Sequence, residues 1–124
     1  IEAEVRAQES KQLAEQRQQR LQEQFASHQA DRFIAELFSL PEAERKQLLA
    51  DFEASPQGGS TQILVANKGW VPGNRGALAV LRSWVMKEKE AAFEQLLPAP
   101  EDRDFEAWLA WRLEQAQAAG AGPT

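Results

Sequence analysis

The pattern of apolar and polar positions changes character near residue 25. Residues 1–24, IEAEVRAQESKQLAEQRQQRLQEQ, are built from Glu, Gln, Lys, Arg and Ala, with no Gly or Pro. All of these favour helix. Their large apolar residues are only Ile1, Val5, Leu13 and Leu21, at spacings that do not sustain a heptad seam. The pattern predicts a polar helical arm. Two roles compete for it: a solvated connector to an upstream domain, or a short self-associating coiled coil through which a homodimer forms. From Phe25 to Leu40 apolar residues cluster. Phe33 with Leu37 and Ile34 with Phe38 are i,i+4 pairs, so the same helix is expected to run on into a core.

Pro41, followed by Glu42 and Glu44, opens a second helix over PEAERKQLLADFEAS, with Leu48, Leu49 and Phe52 as its buried side. Ser55–Ser60 reads as a flexible loop. Residues 61–67, TQILVAN, carry a β-rich triplet, but no second strand exists to pair with it, so a short helix is expected. The loop Lys68-Gly69-Trp70-Val71-Pro72-Gly73-Asn74 then feeds the most apolar helix, with Asn74 as its side-chain N-cap. Leu78, Leu81, Trp84, Val85, Ala92 and Leu96 share a face, widened by Val80, Phe93 and Leu97, and Pro98 and Pro100 end it. Glu101, Asp102 and Asp104 open the last helix, which carries Phe105, Trp108, Leu109, Trp111 and Arg112 and stops near Gly120.

These elements predict an all-α fold. It would be a small bundle of four to five helices, with a polar arm over 1–24, a helical domain over 25–118 and a flexible tail over 119–124. The helix over 74–97 stands at its centre.

Composition narrows the chemistry. No run approaches the roughly 20 apolar residues of a membrane span. The absence of cysteine excludes disulfides and thiol catalysis and fits a cytoplasmic location. The start at Ile1 and the loose AGAGPT end suggest the C-terminal part of something longer. The net charge of −5 is unevenly distributed. Residues 61–87 carry Lys68, Arg75, Arg82 and Lys87 and no acid, whereas both flanking regions are acidic. An acidic chain is unsuited to dedicated duplex binding, but the basic block suits a smaller nucleic-acid contact.

One histidine, His28, is a poor metal site alone and reads as a helix-flank residue. Ser83 has no evident base beside it. Gly58-Gly59 lacks any phosphate-loop pattern and reads as linker. The acids at 101–104 lack a calcium loop and read as a helix-start cluster. Neither a catalytic group, a metal site nor a cofactor is therefore expected. Basic residues with aromatics are what remain: Lys68, Trp70, Arg75, Arg82 and Lys87, with Arg75 and Arg82 seven apart on one face. Trp70 reads first as a side plug of the core, then as a base-stacking platform or a protein-docking aromatic. Trp84 reads as core. Trp108 and Trp111 do not both fit one buried face, which leaves Trp111 as a partner-docking candidate.

The charged lead-in, LPEAERKQLLADFEAS, GW-x-PGNRGALAVLRSWV and the terminal FEAWLAWRL together resemble the C-terminal region of bacterial plasmid replication-initiator proteins. The tryptophan layout is also similar in character to helical single-strand-binding modules of primosomal helicase loaders. The resemblance implies a non-catalytic module of DNA replication. Its partners would be a host replication protein and single-stranded DNA, bound through Lys68, Trp70, Arg75, Arg82, Lys87 and Trp111. The alternative expectation is a structural homo-oligomerisation domain.

Overall fold

The computed structural model describes residues 1–120. Among these residues the fold is all-α, with seven α-helices and one 3₁₀ turn. Helix α1 (Glu2–Ser39) runs unbroken from the arm into the core. It is followed by α2 (Glu42–Glu53), the 3₁₀ turn Pro56–Thr61, α3 (Gln62–Lys68), α4 (Arg75–Glu88), α5 (Glu90–Leu96), α6 (Pro100–Arg103) and α7 (Phe105–Gly120).

The count exceeds the expected four to five because two anticipated helices are each divided. The helix expected over 74–97 breaks at Lys89, whose backbone leaves the helical region (φ −131°, ψ 54°). Nothing in the local sequence forces this, since Lys87-Glu88-Lys89-Glu90 are all helix formers. Burial supplies the reason. The bend returns Phe93, Leu96 and Leu97, each 5% exposed or less, to the same core as Leu78 and Leu81. Phe93 meets Phe33 of α1 with ring centroids 6.4 Å apart. The last helix is divided at Asp104, which is extended (φ −119°, ψ 129°). Its Oδ2 accepts the Ala107 N–H at 2.9 Å, a side-chain N-cap for α7.

Helix α4 lies at the centre, as its pattern predicts. Leu78, Leu81 and Val85 are 1% exposed or less, and Trp84 is buried with its ring edge-on to Phe52 at 5.4 Å. Phe33 and Leu37 of α1 and Phe52 of α2 complete the core. Leu48 and Leu49, expected in the buried side of α2, are only half-buried, at the core's edge. Each fully buried side chain contributes about 2 kcal/mol relative to exposure.

The short helix expected over 61–67 is present as α3, although Ile63 and Leu64 remain exposed. Asn74 holds the N-cap position of α4 but not by the expected bond. Its side-chain amide instead donates to the carbonyls of Leu64 and Gly69, both at 3.0 Å, tying α3 to the loop. Gly69 turns this loop at φ 72°, which a side chain strongly disfavours. The segment 55–60 is not a loop: Pro56–Thr61 forms the 3₁₀ turn, with Ser55 Oγ accepting the Gly58 N–H at 3.3 Å. The tail expected at 119–124 lies outside the described residues for 121–124, while Ala119 and Gly120 belong to α7.

Gly58 sits against the end of α2. A Cβ there would lie 2.4 Å from the Phe52 carbonyl oxygen and 2.8 Å from the Glu53 Cα, both backbone atoms. Gly58→Ala is therefore expected to lower stability by about 2 kcal/mol in urea unfolding, and Gly59→Ala, whose Cβ meets open space, to change it little.

Candidate functional site

The basic block does not fold into one continuous surface of equivalent groups. Lys68 ends α3 and Lys87 lies in the last turn of α4, both exposed. Arg75 and Arg82 share one face of α4 and line a small cleft against Ala30, Phe33 and Ile34 of α1. Arg75 is ion-paired with Asp31 of α1. Arg82 is half-buried, and among the described residues no acidic partner faces it. Burial holds its guanidinium below the ordinary arginine range.

The tryptophans are occupied internally. Trp70 is half-buried, meets Phe52 edge-on at 5.8 Å, and donates its indole N–H to Glu53 Oε1 at 2.8 Å. Its ring packs against the side of the core beside α2. Trp108 is buried beside Phe25 and Phe105, with centroids at 5.7 Å and 6.0 Å. Trp111 is half-buried, 5.7 Å from the His28 ring. Thus the structure gathers Arg75 and Arg82 in the α1–α4 cleft, whereas Trp111 lies on the seam between α1 and α7.

That seam is organised by an aspartate. Asp102 is 5% exposed, and its Oδ1 accepts from His28 Nε2 at 2.7 Å. Arg32 Nε lies 3.6 Å from Oδ2, and Gln29 Nε2 donates to the Asp102 carbonyl at 3.1 Å. His28, Gln29 and Arg32, all within about one turn of α1, therefore hold α6. Asp102 had read as a helix-start charge and His28 as a lone flank residue. Because they are 74 positions apart, no spacing rule could pair them.

A larger concave surface lies elsewhere, between α2 and α5. It is an open groove of about 380 Å³, within the size range of ligand and side-chain pockets. Leu40, Leu48, Ala92 and Leu96 form its floor. Glu44, Gln47 and Asp51 line the α2 wall; Lys89 and Gln95 line the α5 wall. On α2 the residues Glu44, Leu48 and Asp51 recur at i, i+4 and i+7, one helical stripe. Ala92 and Leu96 face it from α5, with Lys89 at that helix's N-cap. The groove exists because the chain bends at Lys89, a feature the sequence pattern did not reveal. Gln47 Nε2 donates to Asp51 Oδ1 at 2.9 Å, while Glu44, Asp51 and Lys89 have no ion pair among the described residues.

The two surfaces differ in the groups they carry. The α1–α4 cleft holds two guanidinium groups and one carboxylate on its rim; the α2–α5 groove holds carboxylates and an amine on opposite walls of an apolar floor. Among the described residues, no group of three or more His, Asp or Glu is placed to hold a metal ion, and no helix is long and apolar enough to cross a membrane. No family model matches the chain, nor does any curated protein or solved structure.

Removing the seam carboxylate leaves His28 and Arg32 beside a buried void. Asp102→Ala is expected to lower stability by about 1–3 kcal/mol in chemical denaturation, and Asp102→Asn, which preserves shape and one acceptor, by less. An unchanged midpoint for Asp102→Ala would show that the aromatic contacts alone hold the hairpin α6–α7.

Proposed function

We propose that this chain is a non-catalytic interaction module and that its docking surface is the groove between α2 and α5. The observation that carries this reading is an apolar floor left open beside a complete core, with charged groups of opposite sign on its two walls. Such a surface suits an amphipathic helix: one or two apolar side chains enter, and flanking charges fix the register. Glu44 and Asp51 make the α2 wall too acidic for phosphate.

A titration of the ¹⁵N-labelled chain with a synthetic helical Leu/Lys peptide tests the reading. The expected amide shifts fall on Gln47, Leu48, Asp51, Ala92 and Gln95, and Ala92→Phe, which fills the floor, abolishes them. Shifts scattered over the acidic surface, with the groove silent, would sink it.

A second reading, contact with single-stranded DNA through the α4 face, is favoured by one observation: Arg82 is a half-buried cation without an acidic partner among the described residues. The association with replication rests on the resemblance to plasmid initiators alone. In this reading the phosphate backbone carries the affinity, because Trp70 and Trp111 are half-buried and each meets an internal ring. Substituting Lys68, Arg75 and Arg82 together by Glu is expected to eliminate binding of a fluorescent oligonucleotide at low salt. Binding that persists in the triple variant removes this reading.

A further inference from the structure

We propose that the α2–α5 groove receives the N-terminal arm of a second copy of this chain; this rests on the groove being a docking surface. The arm is the largest unpartnered element of the molecule. Every residue from 1 to 20 is exposed, although the helix continues into the core without a break. At about 1.5 Å per residue, residues 1–24 reach about 36 Å, far enough to lie on a neighbouring copy.

The arm also carries the complement of the groove. On one helical stripe stand Glu9, Leu13 and Arg17 at i, i+4 and i+8, with Arg20 a turn further. Leu13 is 52% exposed, a large aliphatic side chain with nothing covering it inside its own chain. The order acid, leucine, base faces a groove whose order is Lys89, apolar floor, then Glu44 and Asp51. An arm lying across the groove places Leu13 on Leu48 and Ala92. It sets Arg17 and Arg20 against the α2 wall and Glu9 beside Lys89. Neither Arg17, Arg20 nor Glu9 has an ion pair within the chain among the described residues. Glu44, Asp51 and Lys89 likewise have no ion pair among the described residues, although Asp51 accepts from Gln47 and Lys89 lies over the Trp84 ring. Around a twofold axis the exchange is reciprocal. Each arm fills the other copy's groove, and the assembly closes as a dimer rather than growing.

Sedimentation of the full chain from roughly 1 µM to roughly 1 mM tests this. A reversible monomer–dimer equilibrium is expected. Two double variants, R17E with R20E and E44K with D51K, should each weaken self-association by about tenfold or more. Their equimolar mixture should restore it, because each reversed arm then meets a reversed groove. A destabilised fold does not predict such rescue, and Leu13→Asp, on a fully solvated part of the helix, gives loss of the dimer without touching the core. A chain that stays monomeric throughout overturns the proposal, as does a dimer indifferent to both reversals or a mixture that fails to recover. If the monomeric chain still shows groove shifts with the Leu/Lys peptide, the docking reading stands and only the arm assignment falls. If the groove is also silent, both fall.

Discussion

Leu78, Leu81 and Val85 of α4 are shielded from water on every side, and that requirement fixes most of the molecule. A helix with so wide an apolar face must be covered by several others. Phe33 and Leu37 bring α1 to it, Phe52 brings α2, and the bend at Lys89 returns Phe93, Leu96 and Leu97 from the same stretch of chain. The bend is thus a consequence of core packing rather than of local propensity. It has a second effect. By turning α5 away from the line of α4, it sets a new wall opposite α2 and leaves the groove between them.

The C-terminal hairpin is attached on different terms. Helices α6 and α7 lie on α1 through the Asp102 node and the cluster of Phe25, Phe105 and Trp108. A buried carboxylate is costly to desolvate and is tolerable only when its oxygens are satisfied. Here His28 and Arg32 do so from the same face of α1 that positions the aromatic rings. The side of α1 facing the hairpin is therefore polar and aromatic, while the side facing α4 is aliphatic and phenyl. One helix serves two unlike neighbours because its residues change with each turn.

Much of this was legible in the residues. The all-α class, the change in α1 near Phe25, the central position of the 74–88 helix, the short α3 and the burial of Trp84 follow from periodicity and from the placement of Gly and Pro. Trp70 as a side plug follows from its Gly/Pro loop. The helix breaks at Lys89 and Asp104 were not legible, because tertiary burial made the first and a side-chain cap made the second. The candidate site was read less well. Charge alone grouped Lys68, Arg75, Arg82 and Lys87, but a helix face and an ion pair to Asp31 separate their roles. The groove needed two sets, the stripe Glu44–Leu48–Asp51 and the residues Lys89, Ala92 and Leu96, to be brought face to face. Each looks like an ordinary solvated flank when read singly.

The arm lies outside the core, whereas the groove's floor includes the core residue Leu96; the charge order along the arm is opposite to that across the groove. That the arm of one copy docks in the groove of another is the central claim. A spin label at Gln16→Cys on one copy, mixed with ¹⁵N-labelled unmodified copies, probes it at the level of individual residues. The account predicts selective broadening of the Gln47, Ala92 and Gln95 amides in the labelled-nitrogen chain. Broadening confined to α1 residues, as a coiled coil of two arms would give, or none at all, would contradict it.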